Sequence, residues 1–435
     1  MNFQFRVAKA YVLLSPLFLI GILISFQIRS EAQERTKRLN FVPVSGAAAL
    51  TKGLPEHSQI TSPSISQSFS LAKSLTVTNW LNIPVIVIQR PQNETSIVVS
   101  PADPLNSVGV WNDYQQTVGN NIKNVHAGYG YSINGGASWQ RGLITSPYQS
   151  QFDPSVTSDK NGNFYYCFAA QDTGGWFDLP GGIFVAKANA ASKGATWGTP
   201  VVVVEHPTYP SPHFEDKPYV SVDITNSSYT GNIYVVWTRF AAVQLDTSRI
   251  LFTKSINGGT SFSQSFIELD LEYWKHPEFG PFDYVLGAMP AVGPNGEIYV
   301  AWTKFDPDRP DDVTKNFIRF KKSTNGGSSF GSLVNVAGIK AVRKIKGNLE
   351  APSFPSMAVD RNNGYIYIVW SAKSNSGDLD IYLSKSTNGG TSWSASPIRV
   401  NQDPSGNGKD QFLPWISVDP TGRISVIYYD QRNYP

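Results

Sequence analysis

The chain has 435 residues, carries 36 Lys and Arg against 33 Asp and Glu, and holds a single cysteine. One cysteine rules out a disulfide within the chain, so stability must come from packing and closure. A formal charge of +3 with no long basic patch argues against nucleic acid as a partner.

Arg6 and Lys9 precede an apolar run from Tyr11 to Ile28, and Ser30-Glu31-Ala32 follows with small residues where a signal peptidase reads. Residues 1–32 are therefore expected to be a secretory signal peptide. A retained membrane anchor is the alternative, because the run approaches the roughly 18 residues that span a bilayer. Either way the rest is exported, secreted or held at the cell surface, and meets a membrane only through this segment. Residues 33–75 are rich in Ser, Ala, Gln and Thr without a sustained period and read as a disordered linker. Residues 76–435 read as one large all-β unit, able to bury a core. Cys167 sits in a strand pattern within it, as a small core residue. Asn93-Glu94-Thr95 and Asn226-Ser227-Ser228 match the glycosylation acceptor pattern.

The unit is repetitive. Ser132-Ile133-Asn134-Gly135-Gly136-Ala137-Ser138-Trp139 recurs as Ser255 to Phe262, as Ser323 to Phe330 and as Ser386 to Trp393, with a decayed copy at Ser192 to Trp197. In each clear copy an Asn side chain closes a turn on its own backbone, two glycines supply positive φ, and an aromatic ring returns to the core. The aromatic positions 139, 197, 262, 330 and 393 are 58, 65, 68 and 63 residues apart, the signature of a repeat fold. Between copies the sequence is strand-like. Phe354–Asp360, Tyr365–Trp370, Asp380–Lys385 and Ser396–Val400 are four short runs separated by turn residues. Radially repeated four-stranded units of this size are propeller blades.

The pattern resembles Ser-x-Asp-x-Gly-x-Thr-Trp, the Asp box or BNR repeat of sialidases and related six-bladed propellers, from about residue 93 to the end. The resemblance implies a six-bladed, sialidase-like β-propeller with box turns carrying Asn134 and Trp139, Asn257 and Phe262, Asn325 and Phe330, and Asn388 and Trp393. All four copies place Asn where the family has Asp. After the last box, Phe412–Asp419 and Arg423–Tyr429 supply two strands of a sixth blade, which is either incomplete or closed by Thr76–Thr78 and Ile83–Ile88.

The boxes join third to fourth strands, on the face away from the superfamily's usual active site, and read as structural. The opposite face is expected to gather acids near the first strands and further charges after the second strands. Asp113, Asp153, Asp216, Asp283, Glu350 and Asp410 are the candidate substrate-binding residues, with Glu94 and Glu215 beside them. Asp430, Arg432 and Arg239 are the candidate catalytic residues, and Arg319 is a further arginine by position. Carboxylates supply acid and base for glycosidic cleavage, and arginines clamp a substrate carboxylate through paired hydrogen bonds. The alternative is that the acids tie neighbouring blades together. Sialidases carry an arginine triad, a Tyr-Glu pair, an Asp acid and a Phe/Tyr-Arg-Ile-Pro motif; that last motif is absent here. Asp306–Asp312 is the densest acidic run and reads as a solvated loop, with calcium as the alternative; no cofactor and no resident metal are expected. The reading is an exported monomer acting on or binding a glycan or glycoprotein as an exo-sialidase-like glycoside hydrolase. The alternatives are a non-catalytic binding propeller and a structural surface module.

Overall fold

The computed structural model describes residues 3–5, 84–85, 92–118, 121–172, 178–242, 247–273, 283–345 and 349–433, with backbone only at 3–5, 115–118 and 121–124. The leader beyond residue 5 and the linker lie outside them. Among the described residues no helix is long and apolar enough to cross a membrane.

The chain folds as an all-β propeller of four-stranded antiparallel blades. The first blade is β2 (Gln92–Ser100), β3 (Asp103–Val118), β4 (Asn121–Ser132) and β5 (Gln140–Leu143), with β1 (Phe3–Phe5) preceding it in sequence. The second is β6 (Ser150–Ser158), β7 (Phe164–Gln171), β8 (Gly181–Ala188) and β9 (Val201–His206). The third is β10 (His213–Val222), β11 (Ile233–Ala241), β12 (Thr247–Ser255) and β13 (Ile267–Tyr273). The fourth is β14 (Tyr284–Val292), β15 (Ile298–Phe305), β16 (Phe317–Ser323) and β17 (Val334–Gly338). The fifth is β18 (Ser356–Val359), β19 (Ile366–Lys373), β20 (Leu379–Ser386) and β21 (Ile398–Arg399).

Among the described residues the expected six blades are five. The remaining sheet has three strands, with β22 (Gln411–Val418) and β23 (Ile424–Asp430) antiparallel and β1 running parallel to Ile424–Val426. Among the described residues this sheet has no antiparallel third or fourth strand like those of the other blades. Of the segments expected to complete it, 76–78, 83 and 86–88 lie outside the described residues. Val85 is directed instead toward the first blade, where a Cβ on Gly130 would fall 2.6 Å from its Cγ1.

Second strands carry the apolar runs because each is covered on both faces by its neighbours. All eight residues of β15 are buried, as are the first seven of β7 and of β19. Trp237, Trp302 and Trp370 are fully buried on β11, β15 and β19. The core is thus a series of layers between blades, with Cys167 fully buried in one of them.

The box turns close as the residues dictate. Asn388 Oδ1 accepts from the Ser392 amide at 2.9 Å, and Ser386 Oγ accepts from the Gly390 amide at 2.9 Å. The turns at Asn134, Asn257 and Asn325 repeat these bonds. The aromatic anchors do not all sink into the core. Phe262 is buried, whereas Trp139, Trp197, Phe330 and Trp393 are half-buried. Phe330 packs edge-on against Phe252 of the preceding blade at 4.9 Å, and Trp393 against Phe320 of the preceding blade at 5.2 Å. Lysines add to the join: Lys187 Nζ donates to the Gly258 carbonyl at 3.1 Å and Lys254 Nζ to the Gly326 carbonyl at 2.6 Å. The boxes at Asn257, Asn325 and Asn388 therefore fasten their blades to the one before.

First strands adjoin one another around the axis. Tyr219 on β10 and Trp415 on β22 lie 6.2 Å apart by ring centroid, although their sheets are not sequence neighbours. Five of these strands carry a bulge, and at its centre the chain enters the left-handed region: Glu94 (φ 54°), Asp153 (φ 53°), Lys217 (φ 50°), Gly287 (φ 71°) and Leu413 (φ 50°). A bulge re-aims a side chain, and three of these five are charged.

A candidate axial site

The bulges bring residues 123 positions apart into contact. Lys217 Nζ donates to Glu94 Oε2 at 2.8 Å and lies 3.6 Å from Asp153 Oδ1. The Lys217 amide donates to Asp153 Oδ2 at 3.2 Å, and the Asp153 amide donates to Asn112 Oδ1 at 3.0 Å. Asp216 precedes Lys217 on the same bulge. First strands of two blades thus set Glu94 and Asp153 on one ammonium, and Asp216 neighbours it on the third blade's bulge.

Asp153 and Asp216 are each 2% exposed, whereas the side chains of Glu94 and Lys217 are 16% and 13% exposed. The acids lie beneath an ion pair that solvent reaches. Burial pushes the Asp153 carboxyl up to about 6, against the pull of Lys217. Burial likewise pushes Asp216 up to about 7, with the Glu94 charge adding to it. Glu94 is raised well above the usual carboxylate range by burial and by Asp153. Burial opposes the charge on Lys217, but Glu94 and Asp153 outweigh it and hold the ammonium well above its ordinary value. The set holds protons on carboxyls near neutral pH, beside groups able to accept them.

Of the expected binding residues, Asp153 and Asp216 meet at this cluster. The others bond elsewhere. Asp113 Oδ2 accepts from Trp111 Nε1 at 3.4 Å, while its Oδ1 is buried without a partner. Asp283 pairs with Lys304 at 3.0 Å, Glu350 with Arg343 at 3.3 Å, and Asp410 accepts from the Leu379 amide at 3.0 Å.

The arginines do not converge. Arg239 is held by Glu215, whose Oε1 accepts from its Nε at 2.7 Å. Trp237 Nε1 donates to the other oxygen at 2.6 Å and His206 Nε2 lies 2.8 Å from Oε1. These partners keep Glu215 below its usual range despite full burial, His206 and Arg239 outweighing desolvation. Arg432 Nε donates to Asp430 Oδ2, and Asp430 Oδ1 accepts from the Arg432 amide at 2.8 Å and from Gln411 Nε2 at 3.1 Å. Gln411 continues through Asn401 to Asp403 and Asp380, so the candidate Asp430–Arg432 pair belongs to a buried network joining the fifth blade to the last sheet. Arg319 bridges Asp270 at 2.8 Å and Glu272 at 2.7 Å. A Tyr-Glu pair exists at Tyr148 Oη and Glu205 Oε1, 2.9 Å apart, but Glu205 lies on β9, a fourth strand far along the blade from the axial bulges.

In the acidic run, Asp306 spends its oxygens on the amides of Asp308 and Arg309 and on Arg309 Nε. Among the described residues no group of three or more His, Cys, Asp or Glu is arranged to hold a metal ion.

Reading for acids and arginines missed Lys217, which organises the cluster. A signal for it stood in the first strands, where Asp153-Pro154-Ser155, Lys217-Pro218-Tyr219, Phe354-Pro355-Ser356 and Leu413-Pro414-Trp415 repeat one frame. Proline inside a strand marks a bulge or an edge, and here it follows the residue at the bulge centre in three of the four.

No family model matches the chain, and no curated protein does. Among solved structures, the chain is similar to a protein of unknown function from Dyadobacter fermentans, at 12% identity, over 78% of this chain and 95% of that one, with a TM-score of 0.50. It is also similar to a mutant of NanB sialidase from Streptococcus pneumoniae, at 9% identity, over 80% of this chain and 68% of that one, with a TM-score of 0.50. At these identities the likeness is one of fold, and the fold is that of a sialidase-like propeller.

Proposed function

We propose that this protein is an exported, carbohydrate-active propeller that binds a glycan at the axial bulges and cleaves a glycosidic bond there as a monomer. The observation that carries the reading is the juxtaposition of Glu94 and Asp153 on Lys217, with Asp216 on the same bulge and Asp153 and Asp216 poised near neutral pH. Glycosidic cleavage needs one carboxyl that gives a proton to the leaving oxygen and one carboxylate that takes a proton from the attacking water. In this reading Asp216 is the acid, its ionised neighbour is the base, and Lys217 orients the pair. The shared fold with a sialidase supports a glycan as ligand. The occupied state of Arg239, Arg319 and Arg432 argues for a substrate held without an arginine triad. Export rests on the charged and apolar pattern of residues 6–32, and amino-terminal sequencing of the secreted protein tests it.

A panel of fluorogenic glycosides that includes a sialoside tests the activity, alongside a glycan array. Asp153→Asn and Asp216→Asn are expected to lower kcat by about 10²–10⁴-fold while array binding persists. Turnover unchanged in both variants would remove the axis from the chemistry. A wild-type protein that neither binds nor cleaves any member of either set would leave the structural-module reading.

A further inference from the structure

The face opposite the axial acids holds a second feature. The β10–β11, β14–β15 and β18–β19 turns converge on an open cavity of about 400 Å³, lined by Ile224, Thr225, Asn226, Ser227, Pro294, Asn295 and Arg361. That volume is in the range of small-molecule sites. Its polar groups are unequal. The carboxylate of Asp223 behind the wall is spent on the Thr225 amide at 2.7 Å and on Ser227 Oγ at 2.8 Å. Glu297 is likewise spent on Asn295, whose amide and Nδ2 donate to it at 3.0 Å each. Asn295 Oδ1 and the whole side-chain amide of Asn226 are left without intramolecular hydrogen bonds among the described residues. Arg361 is the cavity's cation, and its guanidinium forms no hydrogen bond or ion pair among the described residues; Asp223 is the one charge that acts on it.

We infer that this cavity is a second sugar site, taking a monosaccharide unit that carries an acidic group, with Arg361 on the acid. A planar guanidinium matches a carboxylate or sulfate with two parallel bonds. Asn226 and Asn295 offer an amide donor and amide acceptors to ring hydroxyls, and the Pro294 ring and Ile224 supply the apolar wall that a sugar's C–H face needs. Among the described residues Arg239, Arg319 and Arg432 are each held by an acid, whereas Arg361 faces a cavity. The inference stands apart from the axial reading, because the two sites share no residue and lie at opposite ends of the first strands.

The test is titration calorimetry with glucuronic acid, glucose and inorganic sulfate on protein made in a bacterial host, where Asn226 stays unmodified. Glucuronic acid is expected to bind, and Arg361→Ala to weaken it about tenfold or more. Glucose, lacking the acid, is expected to bind the wild type at least tenfold more weakly than glucuronic acid. Among the described residues Arg361 makes no hydrogen bond or ion pair, so the variant should keep the wild-type thermal transition. Arg361→Lys should restore part of the affinity. Asp216→Asn should leave this binding unchanged, which separates failure here from failure at the axis. Glucuronic acid binding that is undetectable, or indifferent to Arg361→Ala, would overturn the proposal. Sulfate binding as tightly as glucuronic acid would reduce the cavity to a bare anion site and overturn the sugar claim.

Discussion

Replacing Asp216 with Asn tests the electrostatics of the axis without any substrate. Burial first, and the Glu94 charge after it, move this carboxyl from an ordinary 3.8 up to about 7. Between those limits the folded protein keeps a proton that the unfolded chain releases. The stability tied to that proton is complete below about pH 4 and is lost as pH rises through 7. One proton held only by the fold gives a slope of about 1.4 kcal/mol per pH unit, or about 3 kcal/mol between pH 5 and 7. Asp153, raised to about 6, adds to the lower part of that range. Glu215 and Asp403 are shifted downward, titrate below the window and do not offset the fall. Asn is nearly isosteric and never ionises, so Asp216→Asn should be more stable than wild type at pH 8 by roughly 2–4 kcal/mol and close to it at pH 4. Urea unfolding followed by tryptophan fluorescence at pH 4 to 8 measures this. A wild-type stability that is flat or rising from pH 5 to 7, or a variant with the wild-type slope, would refute the reasoning.

Three further outcomes follow from the packing. Gly390→Ala should cost about 2–3 kcal/mol, because φ is 83° and the new Cβ would fall 2.3 Å from Phe320 Cε1 of the preceding blade; denaturant midpoints measure it. Asn388→Ala should cost about 1–2 kcal/mol by removing the acceptor for the Ser392 amide, and Asn388→Asp should cost less, since it keeps that oxygen; thermal unfolding ranks the two. Glu215→Gln should destabilise by roughly 3 kcal/mol, because it leaves the half-buried Arg239 without its counter-charge; circular dichroism melts decide it, and a neutral result would show that water replaces the pair.

The local features were legible in the sequence and the through-space ones were not. An Asn-Gly-Gly turn is decided by eight adjacent residues, so all four clear copies form the bonds their side chains imply. The buried second strands were legible for the same reason, since Ile366 to Trp370 or Ile298 to Trp302 has no polar face to show. The number of blades was not, because counting inner strands cannot say whether outer partners exist. At the site, acids were sought one per blade, and the structure sorts them by partners that lie far off in sequence. Glu215 meets Arg239 at a separation of 24 residues, and Glu94 meets Lys217 at 123. The spacing of the chain carries no trace of the second pairing; only the proline frame hinted that residue 217 turns toward the axis.

The left-handed bulge residue gives the ring a set of interchangeable sockets. Glu, Asp, Lys, Gly and Leu all occupy it with φ between 50° and 71°, so the backbone sets the direction of the side chain while tolerating widely different chemistry at its end. A lineage of such proteins could thus exchange acid for base or grease at the hub, one position at a time, and leave the surrounding strands undisturbed.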